Sequence, residues 1–379
     1  MKKVLWVSHT TNFVKFNKLF MMNFLDNGWQ VDYASAEEQP FPDGICTNHY
    51  KIPFSRSPYS TQNIKAYKQL KKIIIDGDYD LIHCHTPIGG VLTRLVAKKV
   101  LKGTKTKVIY TSHGFHFYKG APLLNWLIYY PVEKILSKYT DCLVTINDED
   151  YNAAKDHKFK AKKIARINSV GVDIKNFVPV SSEEKTALRE ELGFSKSGLI
   201  LNYSAELNAN KNQEFLFNCV EIIKRKYPNV LLLLCGYGEK EESYRQTIKA
   251  KGLEDNVLLL GYRADVAKIC QASDICAASS IREGLSFSVI EALSCGEIVV
   301  ATRNRGHKTI IKDGFNGFLI PIGDTEAFSN KIIEVYEDGE LRKKILANQF
   351  CDLSKYDKEH ALTDMNKIYE DVLGYSVSR

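Results

Sequence analysis

The sequence predicts two doubly wound α/β domains, and three observations carry that reading. Short apolar runs of strand length alternate with longer amphipathic stretches along nearly all 379 residues, the pattern of parallel sheets covered on both faces. The alternation breaks off in a polar stretch at 173–196 and restarts at Gly198. A composition of 44% hydrophobic and 26% charged residues supplies the apolar mass for two cores, and it excludes disordered, collagen-like and coiled-coil chains.

The elements follow in order. KKVLWVS (2–8) is a strand ending in polar residues, FVKFNKLFMMNFLDNG is an amphipathic helix closed by a glycine turn, and WQVDYAS (29–35) is the next strand, which opens a βαβ unit. Helix 61–76, strand 80–85, helix 88–102, strand 107–113, an aromatic helix at 122–138 and strand 141–147 continue the pattern. From Gly198 come strand LILNYSAEL, helix 211–227, strand 230–238, helix 241–252, strand 257–262, helix 264–271, strand 274–279, helix 286–295 and strands 297–302 and 317–320. Helical stretches at 326–347 and 357–373 close the chain. The expected domains are 1–178 and 190–350, with 351–379 as a C-terminal helix crossing back to the first. Open sheets of this kind bind ligands beyond the carboxyl ends of their strands, so a ligand is expected in a crevice faced by both domains. The informative residues stand at those ends: Ser8-His9-Thr10, His113-Gly114, 206–211, Gly236-Tyr237-Gly238, Gly261-Tyr262-Arg263 and Arg282-Glu283-Gly284.

Charge is distributed unevenly. Residues 1–180 hold 26 Lys and Arg against 15 Asp and Glu, a net +11, whereas the remainder hold 26 against 30, a net −4. The excess points to an anionic partner for the first half. Its lysines alternate with apolar positions, as in IKAYKQLKKII (64–74), and no nucleic-acid motif accompanies them, so an anionic membrane surface is expected and nucleic acid is not. The stretch APLLNWLIYYPVEKIL (121–136) is either buried against the sheet or partly inserted at the lipid interface through Trp126, Tyr129 and Tyr130. No apolar run has the length of a membrane span, and MKKVLWVSHTTNF turns polar too early for a secretory leader, so a cytoplasmic, peripheral protein is expected. Nine scattered cysteines, an odd number without C-x-x-C, read as buried hydrophobes.

The strongest chemical signal is REGLSFSVIEALSCG (282–296). Glu283 sits in a loop after a strand, and Glu291 lies on the second turn of the helix that follows. The backbone amides of Leu285, Ser286 and Phe287, at the positive end of that helix, form a seat for a diphosphate, and the two carboxylates can accept sugar and ribose hydroxyls. In a bland reading they are an exposed helix residue and a dipole partner. Asp76-Gly77-Asp78 mimics a metal-binding D-x-D but precedes its strand, which favours a surface turn. His83 and His85 alternate on one strand face without a third ligand nearby, so no metal is expected.

These motifs resemble those of the family 4 glycosyltransferases, retaining enzymes of the GT-B architecture, over nearly the full chain. Glu283 and Glu291 match the family's E-x7-E; Lys211 matches its lysine in the first loop of the second domain; VGVDIKNF (170–177) is similar to its G-V-D-x-x-x-F. HGFHFYKGAP (113–122), AELNANKNQ (205–213) and RGHKTII (305–311) resemble the subgroup that assembles capsule, exopolysaccharide and surface glycans. The resemblance implies transfer of a hexose or N-acetylhexosamine from a nucleotide sugar, UDP-linked by expectation, to a lipid-linked glycan acceptor, with no cofactor and no metal. It implies that Lys211 and the amides of Leu285, Ser286 and Phe287 hold the diphosphate, Glu283 the donor sugar and Glu291 the ribose. Gly261, Tyr262 and Arg263 would read the uracil edge, and His113 would accept a hydrogen bond from the transferred sugar. His9, Thr10, His85 and His116 are expected on the acceptor side. The chain departs from the family at Glu206, where an arginine is usual, at Thr10-Thr11 in place of Gly-Gly, and at Thr309 in place of a glutamate. Either Glu206 turns away and Arg282 or Arg263 substitutes, or phosphate binding is weaker. A UDP-sugar 2-epimerase of similar build and a catalytically silent sugar-binding partner are the alternatives.

Overall fold

The computed structural model describes residues 1–37, 40–194 and 198–377. The expected boundary stretch 173–196 ends in residues outside that set, as does the end of the 351–379 segment. The chain divides into two compact units, Met1–Gly171 with Lys358–Arg379, and Val172–Asp357.

The first unit is one parallel sheet with helices on its faces. Its elements are β1 (Lys3–Val7), α1 (Val14–Asp26), β2 (Gln30–Ser35), β3 (Asn48–Lys51), α2 (Gln62–Gly77), β4 (Leu81–His85), α3 (Pro87–Val100), β5 (Lys107–Ser112), α4 (Leu123–Ser137), β6 (Cys142–Thr145), α5 (Asp148–Asp156) and β7 (Lys163–Arg166). Strand order is β3-β2-β1-β4-β5-β6-β7. The central strands are apolar runs because both faces are covered: β1 and β4 pair in parallel, Val4 with Leu81 through Val7 with Cys84, and all of these residues are buried. Between β1 and β4 the direction of strand succession reverses, so the loops leaving these two strands part there.

The second unit repeats the plan with α6 (Ser182–Glu191), β8 (Ile200–Ser204), α7 (Gln213–Lys224), β9 (Leu231–Cys235), α8 (Glu241–Ala250), β10 (Val257–Gly261), α9 (Val266–Ala272), β11 (Ile275–Ala278), α10 (Phe287–Ser294), β12 (Ile298–Thr302), α11 (Arg305–Ile310), β13 (Phe318–Ile320), α12 (Thr325–Glu337) and α13 (Gly339–Gln349). Its order is β10-β9-β8-β11-β12-β13, with the switch between β8 and β11. The last helix, α14 (Lys358–Leu373), belongs to the first unit, where Tyr369 packs edge-on to Phe24 at 4.9 Å.

Several elements differ from the sequence expectation. The first unit ends at Gly171 rather than 178, and the segment read as a polar connection contains α6. This helix carries a capping box, with Glu184 N–H on Ser181 Oγ and Ser181 N–H on Glu184 Oε2. Its anchor is polar, since Arg189 and Lys185 both reach Asp274 at 2.8 Å, so no apolar stripe betrays it. The edge strand β3 (NHYK) has no buried residue and no apolar run. The cysteines form no disulfide; seven are buried, Cys46 is half-buried and Cys351 is exposed. Asp78 caps α2 in a left-handed turn and pairs with Lys105, so Asp76-Gly77-Asp78 is a surface turn.

Candidate active site

In the second unit the polar residues converge at the β8/β11 switch. The loop after β8 runs through Glu206 and Asn208 to Lys211, and Asn212, left-handed at φ 56°, turns the chain into α7. The loop after β11 is laced to it: Ile281 N–H donates to the Asn210 carbonyl (2.8 Å), the Asn210 amide to the Arg282 carbonyl (2.9 Å) and Ser279 Oγ to the Lys211 carbonyl (2.7 Å). Lys211 Nζ thereby meets Glu283 Oε1 at 2.5 Å, and the same oxygen accepts from Ser280 Oγ, also at 2.5 Å. Ser280 in turn bonds Tyr203 at 2.5 Å. Burial opposes the lysine's charge, but the carboxylate of Glu283 outweighs it and raises the ammonium above its ordinary range, helped by Tyr203 and Glu206. Glu206 is exposed, and it adds negative potential at Lys211 rather than a cation.

Two glycines make this approach possible. A Cβ on Gly236, at φ +141°, would stand 2.1 Å from the Ala205 carbonyl, where the β9 turn crosses the β8 loop. One on Gly306 would stand 2.4 Å from Glu283 Cβ, so α11 lies directly against the glutamate. Arg305 Nε donates to the Glu283 carbonyl at 3.1 Å, and Asn304 and Thr302 hold the Ser280 carbonyl at 2.9 and 2.5 Å. Sequence reasoning missed Tyr203, Asn210, Ser280, Asn304 and Gly306. Each serves through backbone contacts or a second hydroxyl that no spacing announces.

The helix begins at Phe287, one residue later than expected, and its first-turn amides are those of 287–289 rather than 285–287. The first intrahelical bond of α10 runs from Ile290 N–H to the Ser286 carbonyl, so Phe287, Ser288 and Val289 form its first turn. Leu285 and Ser286 are buried in the approach, and Ser286 makes no side-chain cap. Glu291 lies half-buried on the second turn. At the end of β10 a register shift passes over Leu260 and sets Gly261 opposite Cys235, and the Gly261 carbonyl accepts from Gly236 N–H at 2.7 Å, so Tyr262 and Arg263 follow just beyond the ladder. Tyr262 is exposed, 6.3 Å from the Tyr237 ring. Arg263 is committed to Asp265 in a two-point contact at 2.8 and 2.6 Å, whereas Arg282 makes no ion pair among the described residues. Of the two arginines offered as substitutes at Glu206, Arg263 is thus already engaged.

In the first unit the β1/β4 switch gathers the histidines. His9 N–H donates to Thr86 Oγ1 at 3.1 Å, and Thr10 caps a short turn through Asn12 N–H. Thr86 is held at φ 63°, unusual for a β-branched residue, beside His85. His85 was expected to face an acceptor, but it is 1% exposed and stacked on Trp6, because β4 is central and turns it inward. It reaches outward only through His113, Nδ1 to Nε2 at 3.2 Å. His113 is edge-on to Phe13 at 4.6 Å, and burial pushes its pKa down to about 3, so the ring is neutral. His83 uses both nitrogens, on Tyr369 (3.0 Å) and Thr111 (2.8 Å). His116 stacks on Tyr129 at 4.6 Å, half-buried. Among the described residues no cluster of three His, Cys, Asp or Glu is placed to hold a metal ion.

Two Rossmann-like units, each with its polar side chains at the switch of its sheet, define a protein of the GT-B class. The chain belongs to family 4 of the glycosyltransferases. Residues 3–147 match the model described as Glycosyl transferase 4-like, and 184–349 match Glycosyl transferases group 1. The chain is 42% identical to EpsD of Bacillus subtilis (strain 168), named as a glycosyltransferase, over 97% of this chain and 96% of that one. It is 29% identical to the UDP-Gal:alpha-D-GlcNAc-diphosphoundecaprenol alpha-1,3-galactosyltransferase of Escherichia coli, over 90% and 88%. Among solved structures, Anabaena HepE in complex with UDP and glucose superimposes with a TM-score of 0.80 at 19% identity, over 98% and 100% of the two chains.

Proposed function

We propose that the protein is a retaining glycosyltransferase that moves a hexose or N-acetylhexosamine from a UDP-sugar onto a lipid-linked acceptor of a bacterial surface polysaccharide. It works in the cytoplasm at the inner face of the membrane. The observation that carries the reading is the Lys211–Glu283 pair at the second unit's switch, beside the N-terminus of α10. The pair is neutral as a whole, and an arriving diphosphate exchanges for the carboxylate on the ammonium. That exchange frees Glu283 for the hydroxyls of the donor sugar. The E. coli relative's name, with its UDP-Gal donor and diphosphoundecaprenol acceptor, supports the donor and acceptor classes.

The bond from the anomeric carbon to the diphosphate oxygen breaks while the acceptor hydroxyl oxygen bonds the same face of that carbon. The hydroxyl proton passes to the departing diphosphate oxygen, and UDP leaves. Lys211, Arg282 and the α10 dipole stabilise the charge that develops on the diphosphate, so no metal is required. Glu291 takes the ribose hydroxyls, and the Tyr262-Arg263 backbone takes the uracil edge. His113, neutral, holds a hydroxyl of the transferred sugar; His9, Thr10 and His116 serve the acceptor.

Thermal stabilisation by UDP-, GDP- and ADP-sugars, followed by UDP release with a polyprenyl-diphosphate-linked sugar, tests this. Stabilisation by a UDP-sugar, acceptor-dependent release and full turnover in EDTA are expected. UDP-sugar converted without acceptor would make the protein an epimerase, and binding without turnover a silent partner. Loss of turnover in EDTA would overturn the metal-free chemistry.

A further inference from the structure

Helix α4 has two unlike faces. Its aromatic side is turned inward: Trp126 donates to the Tyr118 carbonyl at 3.2 Å, and both Trp126 and Tyr130 pack on Phe117 at 5.4 Å. Its one acid, Glu133, is buried and tied to Arg94 at 2.9 Å. The opposite side holds Leu123, Leu124, Leu127 and Ile135, which are 73%, 63%, 65% and 58% exposed. Positions 124, 127, 131 and 135 are spaced to form one stripe along the helix. At its C-terminal end Lys134 and Lys138 are joined by Lys98 of α3, which shares the Tyr139 ring with Lys138. None of these three ammoniums pairs with a carboxylate among the described residues.

We propose that this solvent face of α4 is a membrane-binding element: the aliphatic stripe enters the interface of an anionic bilayer and the lysines meet acidic headgroups. The proposal rests on the reading that the acceptor is lipid-linked, and it names the surface that brings the enzyme to it. Lys134 Nζ does donate to Tyr130 Oη at 3.0 Å, but an aliphatic stripe bordered by cations that no carboxylate neutralises is the pattern of a helix lying in the plane of an interface. A second copy of the chain fits less well, because packing this face on its own copy would bury ammoniums for which the face holds no carboxylate.

The test is co-sedimentation of the full chain with vesicles of phosphatidylglycerol and phosphatidylethanolamine, against phosphatidylcholine alone. The parent should bind the anionic vesicles, and high salt should release it. Leu124→Gln with Leu127→Gln, both surface positions, should weaken binding at least roughly tenfold, and Lys134→Gln with Lys138→Gln should remove most of its salt dependence. A parent that ignores anionic vesicles overturns the proposal, as does a leucine variant that binds like the parent. So does a parent dimer, dissolved by the leucine variant, in the absence of vesicle binding. UDP-sugar stabilisation read in the same samples should be equal in parent and variants. Its absence from the parent overturns the transferase reading and leaves the vesicle result standing.

Discussion

Lys211 and Glu283 hold each other's charge where water is scarce, and each is costly to leave alone. Lys211→Ala removes a charge-assisted contact to the diphosphate and strands the glutamate, so kcat/KM for the donor should fall by about 2–3 kcal/mol of transition-state stabilisation. Initial rates of UDP release measure it, and a value equal to the parent's would move the phosphate elsewhere. Glu283→Ala should abolish transfer outright. A second buried carboxylate, Glu297, serves no part of the site. Asn202 donates to it at 2.5 Å, but burial pushes its pKa from 4.5 to about 8. The folded state therefore keeps a proton that the unfolded state gives up. Its stabilising contribution is complete below about pH 4.5 and declines as pH rises toward 8. Glu297→Gln, which cannot ionise, should flatten that decline in melting temperature; a variant with the parent's slope would assign the proton to another group.

At the scale of elements, α4 shows how little composition says about direction. Its aromatics were expected either in the core or in the lipid; in the structure Trp126 and Tyr130 face the core, and the aliphatic residues face solvent. Trp126→Ala should then cost about 2–3 kcal/mol of stability through lost packing, read as a lower melting temperature. Vesicle binding measured well below that temperature should stay the parent's. An unchanged melting temperature with weakened vesicle binding would put the indole at the interface after all. The loops after β8 and β11 show the converse, since two segments 72 residues apart are laced by one backbone bond and two side-chain-to-backbone bonds, and Lys211 thereby meets Glu283.

At the scale of the molecule, the first unit is completed by the end of the chain. Tyr369 of α14 bonds His83 beneath the histidine cluster, Asn366 accepts from Asn23 at 3.0 Å, and Phe24 packs on Tyr369. Removing 358–379 would leave His83 short of a partner and uncover the apolar face of α1. The first unit should lose more stability than through any single substitution above, and calorimetry should show its transition shifted down while that of the second unit stays. A single unshifted transition would mean that α14 is dispensable.

The alternation of strand and helix, the restart near Gly198 and the placing of polar residues at strand ends were legible in the sequence, because apolar runs and their periodicity are local consequences of two covered parallel sheets. The same locality made REGLSFSVIEALSCG and Lys211 visible as separate signals. Their direct contact, the serine and tyrosine beneath them, the withdrawal of His85 behind His113 and the commitment of Arg263 to Asp265 were not. Elements with polar anchors or no buried residue, such as α6 and β3, escaped notice for the same reason. Which atom meets which is decided by strand order and by close approaches at Gly236 and Gly306, and those are properties of the packed chain that no neighbouring residue encodes.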